Sequence, residues 1–91
     1  MPVFVLLPNV LVKHAEGRRT LEAEGNTVGD VVADVARRFP ALGTRLRDDR
    51  GEPYQFVTFY LNDEDIRLSG AFAKPVCDGD ELTIVPAVAG G

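Results

Sequence analysis

Few residues of this chain have both the type and the neighbours to do chemistry. Cys77 is the sole thiol. A reactive thiol needs nearby positive charge to lower its pKa. Asp78 and Asp80 flank Cys77 and act in the opposite sense, so it reads as a small structural residue. His14 is the sole histidine and has no second His or Cys at metal spacing, so it reads as a surface-loop residue. Asp63, Glu64 and Asp65 lack the long loop with central glycine and terminal glutamate of a calcium site, and read as a solvated turn. Arg18-Arg19 and Arg37-Arg38 read as solvated basic pairs. Glycine-rich phosphate loops and Ser/His/Asp arrangements are absent. What remains is the stretch Val85-Pro86-Ala87-Val88-Ala89-Gly90-Gly91. Without a Cβ, Gly90 and Gly91 fit a channel too narrow for a side chain. The carboxylate of Gly91 would then be the one group presented at full extension. Fraying is the default for a terminus. Two terminal glycines also arise by chance in about one chain in 200 at average glycine usage. The tail therefore needs support from the elements that would hold it.

Those elements can be read in order. Val3-Phe4-Val5-Leu6-Leu7 is an unbroken apolar run ended by Pro8, which predicts a central strand buried on both faces. Asn9 to Gly17 reads as a connection. Arg18 to Glu24 reads as the partner strand of a hairpin, with Leu21 and Ala23 facing in. Thr27 can cap a helix whose apolar face is Val28, Val31, Val32, Val35 and Phe39, with Asp30 at the positive dipole end and Arg37 and Arg38 at the other. Pro40 ends it. Ala41 to Leu46 suits a short helical turn with Leu42 and Leu46 tucked under. Asp48 to Pro53 is a polar loop. Phe56 to Leu61 is a strand, Asn62-Asp63 a turn, and Glu64 to Leu68 a short edge strand. Ser69 to Pro75 is irregular. The tight turn Asp78-Gly79-Asp80 launches the last strand, Glu81 to Val85, into the tail. This pattern predicts an α+β fold with a four- or five-stranded mixed sheet and one main helix packed on one face. The other face must be solvated or bind something.

Composition limits the function classes. Ninety-one residues with 45% apolar and 26% charged side chains make one small domain. No segment approaches the ~18 apolar residues needed to span a membrane. The N-terminus lacks a basic region before its apolar run, so no signal peptide is expected. One cysteine suits a reducing compartment, and a cytoplasmic protein is expected. Net charge is −4, with fourteen acids against ten bases. From Phe56 onward there are six acids and two bases. That balance argues against nucleic acid, which wants a basic face, and suits either plain solvation or docking onto a partly basic protein.

The hairpin, the single helix, Asn62-Asp63, and above all Asp78-Gly79-Asp80-Glu81-Leu82-Thr83-Ile84-Val85-Pro86-Ala87-Val88-Ala89-Gly90-Gly91 resemble the ubiquitin-like sulfur carriers that serve thiamin, molybdopterin and cysteine synthesis. The resemblance covers the whole chain. Asn62-Asp63-Glu64-Asp65-Ile66-Arg67, the length and the Asp48 to Pro53 insert look most like the actinobacterial cysteine-pathway type. It implies a beta-grasp (ubiquitin-like) domain over residues 1–86 and a flexible diglycine tail over 87–91. It also implies that the chain is a protein co-substrate rather than an enzyme. A partner of the ubiquitin-activating type would use ATP to adenylate the Gly91 carboxylate, and a sulfur donor would displace AMP to leave a thiocarboxylate. A synthase would accept the sulfur, and a protease that frees the loaded product is a further implied partner. No bound cofactor, metal, nucleic acid or membrane is expected. The acceptor stays open among cysteine, thiamin, molybdopterin and a secondary metabolite.

Strand alternation completes the expected site. With Val57, Phe59 and Leu61 facing the helix, Phe56, Thr58 and Tyr60 point the other way. With Leu82 and Ile84 inward, Thr83 and Val85 point out. If the two strands are neighbours, as the resemblance implies, these residues form a docking patch beside the tail root, with Gly90, Ala89 and Val88 as the tail leading to Gly91. Two competing readings share the tail: a protein modifier joined through Gly91 to lysines, and a noncovalent binding module.

Overall fold

The computed structural model describes residues 2–54 and 57–86. Five strands form one mixed sheet: β1 (Val3–Leu6), β2 (Thr20–Ala23), β3 (Val57–Leu61), β4 (Glu64–Asp65) and β5 (Glu81–Pro86). Their spatial order is β2-β1-β5-β3-β4. β1 pairs antiparallel with β2 and parallel with β5, and β5 pairs antiparallel with β3. The last strand, β5, is therefore the centre of the sheet. β1 is an inner strand beside it.

Helix α2 (Val28–Arg38) follows the shorter α1 (Asn9–Val12) and packs across one face. Its start is where the sequence puts it: the Thr27 hydroxyl accepts the Asp30 N–H at 3.1 Å. Asp30 reaches back in turn to accept the Asn26 N–H at 3.1 Å, so two donors at the helix entrance are satisfied locally. The helix stops at Phe39, whose backbone has left the helical region (φ −131°, ψ 79°), the region that a following proline disfavours. Pro40 then opens α3 (Pro40–Gly43). Val28, Val31, Val32 and Val35 of α2 bury against Val3, Val5, Leu21, Ala23, Phe59, Leu61, Leu82 and Ile84 of the sheet. Leu42 and Leu46 close the core below, both fully buried. Phe72 packs edge-on against Phe59, with ring centres 5.3 Å apart.

Four expectations change. β1 is not buried on both faces: Val3 and Val5 are in the core, while Phe4 and Leu6 are half-buried on the open side. One helical layer covers only one side of a sheet, and a run of apolar residues cannot say which of them it covers. Asn9 to Gly17 is not a plain connection but α1 followed by a 3-10 turn (Lys13–Ala15), which buries Leu11 and Ala15. His14 thus sits on a helical turn, half-buried, and not in a loop. The edge strand expected over Glu64 to Leu68 stops after Asp65. There the Asp65 carboxylate accepts the Arg67 N–H at 2.9 Å and caps a 3-10 turn (Ile66–Leu68) that drops Ile66 into the core.

Candidate functional site

The root of the tail is the end of β5, and the register of the sheet fixes what surrounds it. Tyr60 lies opposite Thr83, Thr58 opposite Val85, and Val57 opposite Pro86. On the far side of β5, Leu6 pairs with Thr83 and Phe4 with Glu81. Because side chains alternate across a pleated strand, Tyr60, Thr58, Thr83 and Val85 share the face that the helix leaves open. Their inward neighbours Phe59, Leu61, Leu82 and Ile84 are buried. Val85 is 41% exposed, one of three large apolar residues so placed among the described residues. Phe4 and Leu6 extend the same face across β1. Sequence alone missed them, because a fully apolar run carries no alternation from which to assign faces. Phe56, Val88, Ala89, Gly90 and Gly91 lie outside the described residues.

Two turns hold β5 at its start. Asn62 and Asp63 both take left-handed backbone (φ 49° and 72°), the conformation of a tight two-residue hairpin and one that Asn and Asp tolerate. Asn62 then clamps the next turn. Its amide donates to Asp80 Oδ1 at 3.0 Å, and its Oδ1 accepts the Glu81 N–H at 3.0 Å. The other Asp80 oxygen accepts the Cys77 N–H at 2.8 Å. The Asn62 amide first, and the Cys77 N–H second, hold the Asp80 carboxyl below the usual carboxylate range. Gly79 makes the turn possible with φ 85°. Cys77 is exposed, and it sits beside Asp80 at the end of β5 away from the tail root.

Partial burial first, then the charges of Arg45 and Lys13, lower the His14 pKa below its ordinary value. Arg37 and Arg38, read as a solvated basic pair, both bond to Asp34. Asp34 also accepts the Glu24 N–H at 3.1 Å and so ties α2 to the end of β2. Desolvation pushes the Asp34 carboxyl up, but the Glu24 N–H and the two arginines outweigh it and hold it low. Among the described residues, no group of three or more His, Cys, Asp or Glu is arranged to hold a metal ion, and no helix is long and apolar enough to cross a membrane.

Among the described residues, the open face and the tail root bring no nucleophile and base together. The ThiS family model matches residues 5–91. The sulfur carrier protein CysO of Mycobacterium tuberculosis is 42% identical over 93 residues, covering 100% of both chains. Its crystal structure superposes with a TM-score of 0.87 over 94% of this chain and 99% of that one. A chain of the Amycolatopsis orientalis BexX/CysO complex is 43% identical with a TM-score of 0.90, covering 98% of this chain and 99% of that one. Small archaeal modifier protein 1 of Haloferax volcanii is 37% identical over 78 residues, 82% of this chain and 85% of the relative.

Proposed function

The chain belongs to the ThiS family, and from that premise we propose that it is a sulfur carrier protein whose working group is the carboxylate of Gly91. The observation that carries this reading is the likeness to CysO along the full length of both chains, with a family match that runs through Gly91.

A carboxylate is a poor electrophile, because its charge is shared over two oxygens. Adenylation by a ubiquitin-activating type of partner joins one oxygen to the α-phosphorus of ATP and expels pyrophosphate. A sulfur nucleophile then attacks the carbonyl carbon, AMP leaves, and a thiocarboxylate remains. The catalytic groups belong to the partner, which is why this chain needs none. Its own contribution is reach and aim: a rigid central strand, Pro86 at its exit, and small residues beyond. The chain acts as a co-substrate in the cytoplasm, where ATP is at hand and the lone Cys77 stays reduced. The acceptor is a synthase that builds sulfur into a metabolite, cysteine synthesis being the pathway nearest to the CysO likeness, and a protease would free a product left on the tail. The open face around Tyr60, Thr58, Thr83 and Val85, widened by Phe4 and Leu6, is the docking surface for the activating partner.

The test is to incubate the chain with its adenylating partner, ATP and sulfide, and to weigh the intact protein. The mass should rise by the exchange of one oxygen for one sulfur. Deleting Gly91 should abolish the exchange, and Tyr60→Asp should slow it. Normal loading of the Gly91 deletion would remove the carboxylate from the mechanism, and normal loading of Tyr60→Asp would remove the docking face.

A second reading, a protein modifier joined through Gly91 to lysines, is favoured by the likeness to the archaeal modifier protein. It predicts ladders of higher-mass adducts in cell extract that depend on Gly91. Their absence under conditions where the sulfur exchange proceeds would exclude it.

A further inference from the structure

The charge of this molecule is separated along its sheet, and the separation is ordered with respect to the tail. β1 runs parallel to β5, so the chain leaving β1 passes the tail-root end. There the Leu7 N–H bonds the Arg19 carbonyl at 2.8 Å, and the Arg18 N–H bonds the Ala15 carbonyl at 3.1 Å. Arg18 and Arg19 therefore stand two strands over from the root, about 10 Å away at ordinary strand spacing. Lys13 lies on the 3-10 turn just before them. Arg45 follows α3, which packs against that turn, and its charge reaches His14. The Asp63, Asp78, Asp80 and Glu81 carboxylates gather around the opposite end of β5, roughly 17 Å away along a six-residue strand.

The pairing pattern separates the two groups of cations further. Arg37, Arg38, Arg67 and Lys74 each have a carboxylate partner: Asp34 for the first two, then Asp65 and Glu64. Among the described residues, Lys13, Arg18, Arg19 and Arg45 have none, and all four are exposed. Glu16 is the one acid in their stretch of chain. The loop from Arg47 to Glu52 reaches the same end, but Asp48, Asp49 and Glu52 offset its arginines.

We propose that the unpaired cations Lys13, Arg18, Arg19 and Arg45 form a docking rim for an acidic protein surface on the enzyme that loads the tail. The proposal rests on the sulfur-carrier reading. Five residues beyond Pro86 reach at most about 17 Å, so an enzyme that takes Gly91 into its active site must bring its own surface against this end. The screening length at physiological salt is about 8 Å. The approaching partner therefore meets the rim, while the remote carboxylates that make the net charge negative are screened from it. Exposed charges at the edge of an interface act chiefly on the rate of encounter.

The test is pyrophosphate release by the cognate adenylating enzyme at low and high NaCl, with wild type, Arg18→Glu/Arg19→Glu, and Glu24→Lys as a charge change at the far end. At low salt the double reversal should lower kcat/KM about tenfold or more, through KM, with kcat kept. The gap should close to within about twofold at 0.5 M NaCl. Glu24→Lys should match wild type, and all three should melt together, because these side chains are exposed. Equal KM for wild type and the double reversal at low salt would overturn the rim. So would a gap that salt does not close, or RNA binding by the rim alongside normal loading of the reversal. Wild type that releases no pyrophosphate at all would overturn the sulfur-carrier reading itself.

Discussion

Asp80 shows how one side chain can aim a strand. Its two oxygens are held by the Asn62 amide and the Cys77 N–H, which join the β3–β4 turn to the turn that launches β5. Both bonds favour the ionised carboxyl and lower its pKa in the folded state. The unfolded chain, with its carboxyl near pH 4, then binds the proton more readily than the folded one. The stabilisation is full above about pH 4 and is lost as pH falls through the lower folded value. Asp80→Asn should cost no more than about 1 kcal/mol at neutral pH, since the site is open to water. Its difference from wild type should shrink toward zero as pH drops from 5 to about 2, measured by urea unfolding. Asp34, and Asp65 through its Arg67 partner, are also held low, so the Asp80→Asn variant should keep an acid limb of its own. A pH-independent difference would mean that Asp80 acts through the shape of its turn alone. At this scale the sequence was informative where chemistry is local. Thr27, Gly79 and the Asn62-Asp63 pair announce themselves by residue type. The Asn62–Asp80 clamp does not, because its members are 18 positions apart.

The elements were legible for a similar reason. Helix α2 carries its cap, its period and its stop within fourteen consecutive residues from Thr27 to Pro40, and all three are realised. Strand alternation likewise put Leu21, Ala23, Phe59, Leu61, Leu82 and Ile84 inside. What stayed hidden were features set by other parts of the chain. These were the centrality of β5, the open-face role of Phe4 and Leu6, and the early end of β4, where the chain turns to bury Ile66. The join of α2 to α3 is another. A Cβ built on Gly43 would stand 2.5 Å from Ala36 Cβ and 2.9 Å from its Cα. Neither side can yield by rotating, since alanine has no further atoms to move and both sit on helices. Gly43→Ala should therefore push α3 off α2 and destabilise the fold by about 1–3 kcal/mol, despite alanine's better helix propensity. In a domain this size each kcal/mol lowers Tm by about 4–8 °C, so a thermal melt decides it. An unchanged or higher Tm would show that the two helices part without loss. Gly43→Ala with Ala36→Gly should recover most of the fall if the clash is local.

At the scale of the whole molecule, folding and function draw on different stretches of the chain. Among the described residues the core runs from Val3 to Ile84, and the last ladder partner of β5 is Pro86, opposite Val57. The proposed acyl group lies five residues further on. Removing residues 87–91 deletes two glycines and the three side chains of Ala87, Val88 and Ala89, of which only Val88 could bury much apolar area, at about 0.8 kcal/mol per CH₂ were it packed. Two-state unfolding draws its stability from the core, so the truncated chain should melt within about 2 °C of the full chain. It should also keep the acid dependence set by Asp34, Asp65 and Asp80, while losing all sulfur exchange. A Tm lower by about 4–8 °C would mean that the tail contributes on the order of 1 kcal/mol of packing, and that residues 1–86 are not the folding unit. The truncation should also keep its affinity for the activating partner to the extent that the open face and the cationic rim supply it, and so compete with the full chain for loading. Docking and chemistry would then be separable on one small domain, with the sheet supplying recognition and Gly91 the reacting carbon.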